Sequence, residues 1–378
     1  MTSPIARPSS LLSPPARWAL WGGFVTLLAL PTADWVLALD PSPPPQENRV
    51  LAAEPLFPRT LTDLLAWPAS YDAWFKDHLG LRNTLIAWHS TLMLDVLGIS
   101  PNKDVLIGRD GWLYLGHAKN VDAYRCVAPF TAAELAATRE HLVQRRDWLR
   151  KRGIAYANLW VPIKANVYPE FLPVTLRKLD QPCRLSQWAE HLRKHSDVAA
   201  LDLTPAMLRA KRDNPGERLY YKTDTHWNAR GAWVGYRAVL PVLRTLTAKL
   251  APIDPARVTF ADRSEPGGDL ARLMDMPERF RGPESATQLR DSRAQPAPVQ
   301  VAVPKGVVPT ALRCPSCGTG KVLVFHDSFG NHLRPFLAET FGEYLGLEFA
   351  QFDEATVLAV RPDLVMEIHL ERQMTPDR

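Results

Sequence analysis

The sequence predicts an α/β protein: a doubly wound, mainly parallel sheet flanked by helices, preceded by an N-terminal membrane anchor. Three stretches carry the sheet. Residues 321–341, KVLVFHDSFGNHLRPFLAETF, read as a buried strand, a tight turn and a helix. Val322, Leu323, Val324 and Phe325 form an apolar, β-branched run, and Leu333, Phe336, Leu337 and Phe341 recur at helical spacing. Thr131 and Glu134 form a capping box that opens a helix to about residue 152, and a strand follows over 154–161. Residues 363–370, DLVMEIHL, read as a last strand. Strands that alternate with helices pair in parallel, because each crossover returns the chain to the same edge of the sheet.

Taken in order, the chain opens with a targeting segment. Residues 1–17 hold Arg7 and Arg17 and no acid, and read as a cytoplasmic tail. Residues 18–39 are apolar apart from Asp34, with Pro31 inside the run, and read as a transmembrane signal anchor. The acids Asp34, Asp40 and Glu47 at its far end put the rest of the chain outside. A cleaved signal peptide is the rival reading, for which Val36-Leu37-Ala38 is a poor cleavage site. Residues 40–46 include Pro-Ser-Pro-Pro-Pro, a stiff polyproline linker, and residues 47–378 are then the periplasmic domain. With 46% hydrophobic residues, the whole chain can bury a large core, and its 34 prolines are scattered between apolar runs, which argues against disorder. Net charge is only +5, with no dense basic stripe or nucleic-acid motif. An acidic ligand or a membrane surface fits that balance better than DNA or RNA.

An oxidising compartment makes two disulfides the expected state of Cys126, Cys183, Cys314 and Cys317. Four cysteines allow three pairings, and the sequence leaves them open. Cys314 and Cys317 form a CxxC that precedes a strand rather than following one, which does not suit a thioredoxin-like role. Zinc would need Cys126 and Cys183 to join the pair in space. Further along, residues 47–97 read as aromatic-rich helical pieces. Asp77 and His78 point about 100° apart on a helix and fit a hydrogen-bonded turn. Residues 105–115, VLIGRDGWLYL, read as a hairpin that turns at Asp110-Gly111. The loop 162–169 lies at the carboxyl end of a strand, where ligands collect in open α/β sheets. A strand over 198–203 leads to Thr204 as N-cap with Pro205 behind it. Residues 262–303, rich in Pro, Arg and Gly, read as a long loop near the site.

Two segments carry chemistry. Ser328 stands at the apex of a strand–turn–helix, where its hydroxyl meets the carboxyl edge of a sheet and backbone N–H groups can stabilise an oxyanion. A serine in a turn is more often only a cap. The second segment is Tyr-Tyr-Lys-Thr-Asp-Thr-His-Trp-Asn, residues 220–228, with Asn228 capping a helix from about Ala229 that Pro241 kinks. In extended backbone, Asp224 and His226 share one face, so the carboxylate supports the imidazole as general base for a serine. Taken alone, Asp-x-His fits a metal site or an ordinary turn equally well. Its pairing with the Ser328 turn favours acyl chemistry.

The residues quoted, DTHWNARGA (224–232) and VLVFHDSFGNHLRPFL (322–337), resemble the SGNH-hydrolase-like domain of the alginate O-acetyltransferases and their exopolysaccharide-modifying relatives. ENRVLAAEP (47–55), YDAWFKDHLGLRN (71–83), VPIKANVYPEFLP (161–173) and GGDLARLM (267–274) follow in the family's order. The resemblance implies an SGNH-like fold with a circularly permuted motif order, the serine block last. It implies Ser328 as acetyl-accepting nucleophile, His226 as base and Asp224 as the residue that orients it. The Ser328 N–H is the implied oxyanion donor, with Asn158 or Asn331 as candidate side chains. Lys164 and Tyr168 match the family's cleft loop and, with Trp227, are the candidate substrate-binding residues; a packed, structural role is the alternative for each. His326 stands where many SGNH enzymes have glycine.

The function so implied is a periplasmic O-acetyltransferase that passes acetyl from Ser328 to hydroxyls of an alginate-like exopolysaccharide. A membrane-bound O-acyltransferase would supply the acetyl group, and no coenzyme A or nucleotide motif is visible. The same triad would serve an acetyl esterase, and a non-catalytic polysaccharide-binding scaffold is the reading from another class.

Overall fold

The computed structural model describes residues 13–38 and 51–375. Most of the expected cytoplasmic tail, the expected linker 40–46 and residues 47–50 lie outside the described residues. The chain divides into two compact units, Met1–Pro101 and Asn102–Arg378.

In the first unit, α1 (Pro14–Leu37) has the 24 residues that the anchor reading needs, and its apolar window averages a hydropathy of 1.4. At 1.5 Å per residue it is about 36 Å long, enough for a bilayer core of roughly 30 Å. It starts before the expected boundary at Trp18 and continues through Pro31 and Asp34. Helix α2 (Leu61–His78) opens on a capping box of Thr60 and Asp63. Helix α3 (Arg82–Thr91) runs on into a π turn, Leu92–Val96. Asp77 Oδ2 accepts from the Ala52 N–H and the His78 ring meets the Trp74 carbonyl, both ordinary local contacts.

The second unit opens with the expected hairpin, β1 (Val105–Ile107) and β2 (Leu113–Leu115). Asp110 and Gly111 take positive φ, 54° and 72°, in its turn. Then come α4 (Ala118–Arg125), α5 (Ala132–Arg150), β3 (Ala155–Val161), α6 (Lys164–Val167), α7 (Arg184–His195), β4 (Ala199–Asp202) and α8 (Thr204–Asp213). Helix α9 (Ala229–Leu246) follows, continuing past Pro241. The ribbon β5 (Val258–Glu265) and β6 (Gly282–Leu289) encloses α10 (Asp269–Leu273). The last group is β7 (Gln295–Pro296), β8 (Val308–Arg313), β9 (Lys321–His326), α11 (Gly330–Ala338), β10 (Glu343–Glu348), α12 (Glu354–Val360) and β11 (Leu364–Leu370).

Seven strands form the main sheet in the order β4-β3-β11-β9-β10-β8-β7. The first five are parallel and β8 and β7 add an antiparallel edge, so β9 is the central strand. Alternate residues of each strand feed opposite faces. Val322 and Val324 pack with Trp227 from the loop before α9 and with Tyr236 and Phe336 from α9 and α11, whereas Leu323 and Phe325 pack with Leu142, Trp188 and Val357 from α5, α7 and α12. Each such side chain, fully buried, contributes about 1.5–3 kcal/mol. Helices on both faces make the sheet doubly wound, as expected.

Several details differ from the sequence reading. Residues 262–303 are not one long loop: β5 and β6 pair over eight residues each, and α10 lies between them. The ribbon stays half-exposed, so its strands are polar and give no apolar alternation to detect. Thr204 is the first residue of α8 rather than its cap, and its N–H is taken by the Asp202 carboxylate. The disulfides left open by sequence are Cys126–Cys183 and Cys314–Cys317.

A buried polar cluster sits under β11. Glu367 accepts from Arg145, from the Tyr156 hydroxyl and from the His369 ring. Its carboxyl lies well below the usual range, to about 2: burial opposes ionisation, and the bonds and charges of His369 and Arg145 override it. Arg145→Met leaves that carboxylate buried without its cation and should cost about 3–5 kcal/mol in urea unfolding. The double change Arg145→Met with Glu367→Met should recover most of that loss.

Candidate active site

Strand β9 delivers His326 to the carboxyl edge of the sheet, and the chain turns at 327–329 into α11. Asp327 fixes that turn. Its Oδ1 accepts from the Phe329 N–H at 2.9 Å and its Oδ2 from the Leu370 N–H at 2.7 Å, which ties the turn to the end of β11. His326, in the place where many relatives have glycine, is buried and its Nδ1 contacts the Asp327 carbonyl at 2.7 Å. Gly330 has no room for a side chain, since an added Cβ would come within 2.4 Å of the His326 ring. Ser328 thus stands half-exposed at the head of the central strand. Among the described residues, no acceptor takes its N–H.

The segment 221–226 is a compact loop closed by a bridge between Tyr220 and Trp227, not the extended backbone expected. Asp224 and His226 meet by another route. Asp224 Oδ1 accepts from the backbone N–H of His226 at 2.9 Å, an aspartate turn onto the residue two ahead. The same oxygen lies 2.7 Å from His226 Nδ1, and His226 Nε2 lies 2.7 Å from Ser328 Oγ. With Nδ1–H donating to the ionised Asp224, Nε2 is left as acceptor for the Ser328 hydroxyl. Trp227 Nε1 donates to the Phe329 carbonyl at 3.0 Å and pins the two loops together.

A third segment completes the arrangement. The loop before α10 sends the Asp269 N–H to Asp224 Oδ2 at 2.9 Å and the Gly268 N–H to Thr223 Oγ1 at 3.0 Å. The approach requires glycine, because a Cβ on Gly268 would come within 2.3 Å of the Asp224 Cβ. The Asp269 carboxylate accepts from the Thr225 N–H and hydroxyl, and lies 3.8 Å from His226 Nδ1. Sequence reading missed Asp269 as a site residue, although it falls within the GGDLARLM stretch. Asp224, His226 and Asp269 are close enough to share a cation, but the carboxylate oxygens already accept protein N–H or O–H groups.

The electrostatics follow from burial and these bonds. Burial disfavours the Asp224 carboxylate, but the His226 hydrogen bond and charge outweigh it and hold its carboxyl well below the ordinary range. For His226, burial pulls down, while the Asp224 bond and the charges of Asp224, Asp269 and Asp327 raise its pKa above the usual value. Asp269 is pushed up by burial and by the neighbouring Asp224 charge. His332 stacks beside His226 at 5.8 Å, and burial followed by the His226 charge lowers it to about 4.

The three residues expected to hold substrate are placed otherwise. Lys164 is buried and spends its ammonium on the carbonyls of Tyr221, Lys222 and Asp224, at 3.2, 3.2 and 2.7 Å. It braces the Asp224 loop from below. Tyr168 is packed between Trp112 and Tyr220, its hydroxyl accepting from the Leu219 N–H. Trp227 is fully buried and packs on Phe329, whose ring lies 4.8 Å from that of His226. The Asn158 amide donates to the Tyr156 hydroxyl in β3, and the Asn331 amide oxygen accepts from Arg334. A cleft of about 700 Å³ lined by His117, Lys119, Asp327, His369 and Arg372 lies beside the turn without Ser328, His226 or Asp224 in its lining, and a smaller one of about 320 Å³ is lined by Tyr221, Asp224 and Gly268.

Comparison with known proteins gives the family. A family model described as an SGNH hydrolase-like domain, acetyltransferase AlgX, matches residues 105–306, a span that includes Asp224, His226 and Asp269 and ends before Ser328. A protein named "Probable alginate O-acetylase AlgJ" from Pseudomonas fluorescens is 30% identical over 181 residues, 47% of this chain and 42% of that protein. The match therefore spans less than half the length of that relative. Among solved structures, Bacillus cereus PatB1 with a sulfonyl adduct superposes with a TM-score of 0.53 at 14% identity, covering 72% of this chain and 99% of that one, a likeness of fold. The O-acetyltransferase domain of Pseudomonas putida AlgJ gives a TM-score of 0.45 at 22% identity, over 72% of this chain and 92% of that one. With more than half its residues matched by the family model, the chain belongs to the AlgX family of SGNH-hydrolase-like acetyltransferase domains.

Proposed function

We propose that this protein is a membrane-anchored periplasmic O-acetyltransferase that carries acetyl on Ser328 and passes it to a hydroxyl of an alginate-like exopolysaccharide. The observation that supports this best is the unbroken hydrogen-bonded series from Asp224 through His226 to Ser328, with both contacts at 2.7 Å. His226 Nε2 takes the Ser328 proton as Oγ attacks the donor's acetyl carbonyl. It returns that proton to the departing donor oxygen. An acceptor hydroxyl then gives its proton to Nε2 and attacks the acetyl-serine, and Ser328 regains a proton as its ester bond breaks. The free Ser328 N–H is the donor for the oxyanion of each tetrahedral stage, a contribution worth roughly 100- to 1000-fold in rate. Asp224 orients the ring and stabilises the imidazolium. The sugar binds at the carboxyl edge against the half-exposed Ser328, and α1 holds the domain beside a membrane-bound O-acyltransferase that supplies acetyl.

The test follows acetyl by mass spectrometry on the peptide carrying Ser328, using a chromogenic acetyl ester with and without oligosaccharide. Acetyl that appears on Ser328 and moves to sugar faster than to water is the expected result. Release to water alone would favour an esterase. No turnover and no adduct, with Ser328→Ala indistinguishable from the parent, would point to the scaffold reading.

The raised His226 pKa predicts the pH dependence. Only neutral His226 accepts the serine proton, and its pKa is raised, so kcat/KM should fall as pH drops through that raised value. Asp224→Asn removes the charge that raises it. The change should move the His226 titration, followed by NMR in the Ser328→Ala background, to lower pH. In the otherwise intact enzyme it should cut kcat by about 10⁴-fold, the scale seen for such a change in serine proteases. Gly268→Ala tests how Asp224 is held. Its Cβ should push the carboxylate off Nδ1, seen as an upfield shift of the His226 Nδ1–H resonance, with a stability cost of about 1–3 kcal/mol.

A further inference from the structure

We infer that the α2–α3 elbow of the first unit lies in the lipid interface, as a second membrane contact beside the anchor α1. The inference rests on reading α1 as a membrane span. Helix α3 and the π turn behind it place Leu85, Trp88, Leu92 and Val96 at spacings of three and four residues, a single stripe on one side. The four are 39%, 69%, 53% and 70% exposed, while Ser90 on the opposite side is buried. The amino-terminal half of α2 repeats the pattern with Leu61, Leu64 and Leu65, each more than half exposed. Apolar stripes of this size turned to solvent mark a contact surface.

The occupant follows from how the elbow is attached. It docks on the last turns of α1. The Leu81 N–H donates to Asp34 Oδ2 at 2.8 Å, and Trp35 meets Trp74 edge-on at 5.9 Å. Gly80 is buried there, and an added Cβ would come within 2.1 Å of the Pro31 carbonyl and 2.6 Å of the Trp35 nitrogen. Asp34 stands three residues before the end of α1, about 4.5 Å along its axis, which is the depth of the interface when α1 spans a bilayer. The elbow therefore meets lipid headgroups by construction. A Trp- and Tyr-rich helix pair with apolar stripes at that depth is the composition of an interfacial element. Its surface continues that of α1, whose Leu27 and Val36 are 67% and 69% exposed.

The experiment uses the full chain in vesicles of phosphatidylethanolamine and phosphatidylglycerol. All four native cysteines are paired, so a single introduced thiol takes an environment-sensitive fluorophore cleanly. Labels go on Leu64→Cys and Trp88→Cys, with Phe24→Cys inside α1 and Lys194→Cys in the second unit as references. The inference expects the labels at 64 and 88 to be quenched by nitroxides on lipid chains and shielded from iodide, as at 24 and unlike 194. It is overturned when iodide quenches 64 and 88, which places them in water. It is equally overturned when neither quencher reaches them, which places protein over the stripes. Either result with position 24 still quenched by lipid leaves the anchor reading standing. Loss of lipid quenching at 24 as well removes the anchor and the inference together.

Discussion

Three N–H groups converge on one carboxylate, and the site depends on that convergence. Asp224 accepts from the backbone and the ring of His226 on one oxygen and from the Asp269 N–H on the other. The first bond shapes the loop, the second sets the tautomer, and the third anchors the loop to a segment more than forty residues away. A carboxylate with three donors is held ionised, in line with its depressed pKa despite burial. The fold exists, in functional terms, to bring those donors to one point. Lys164 secures the loop from the end of β3, and the Trp227 indole ties it to the turn after β9.

The sheet supplies the rest of the constraint. β9 is central and parallel to both neighbours, so its carboxyl end opens between the ends of β10 and β11. Asp327 uses that geometry by accepting from the Phe329 amide within its own turn and from the last amide of β11. Ser328 is consequently fixed by its neighbours on both sides while its own N–H stays available. Rigid backbone around a free donor is what electrostatic stabilisation of an oxyanion requires, since nothing has to reorganise as charge develops.

How far this was legible depended on whether a feature is local. The apolar run at 322–325 and the spacing of Leu333, Phe336 and Leu337 revealed β9 and α11, because strand and helix periods are written in consecutive residues. The Thr131–Glu134 box and the Asn228 cap were read for the same reason. Ser328, His226 and Asp224 could be grouped because each belongs to a short motif. Asp269 was not, since its role rests on a close approach allowed by Gly268, and its stretch GGDLARLM carries no spacing that points to Asp224. Lys164 shows the opposite failure. A lysine beside a cleft suggests a ligand, yet three carbonyls of a distant loop claim its ammonium. Strands β5 and β6 escaped because they pair with each other rather than with the core, leaving no apolar pattern.

The two acids near His226 are driven apart by their surroundings, Asp224 down and Asp269 up. Asp224 touches the ring nitrogen, whereas the Asp269 carboxylate is occupied by Thr225 and reaches that nitrogen only at 3.8 Å. This division suits the proposed chemistry. When the imidazole takes a proton from Ser328, the adjacent carboxylate neutralises the new charge at short range. The second acid adds a longer-range field without competing for the ring's proton. If both acids were bonded equally to Nδ1, one would have to protonate, and the ring would lose its fixed orientation. By holding Asp269 through its amide N–H on Asp224 and its carboxylate on Thr225, the loop keeps the second acid close to the histidine but one bond removed from it.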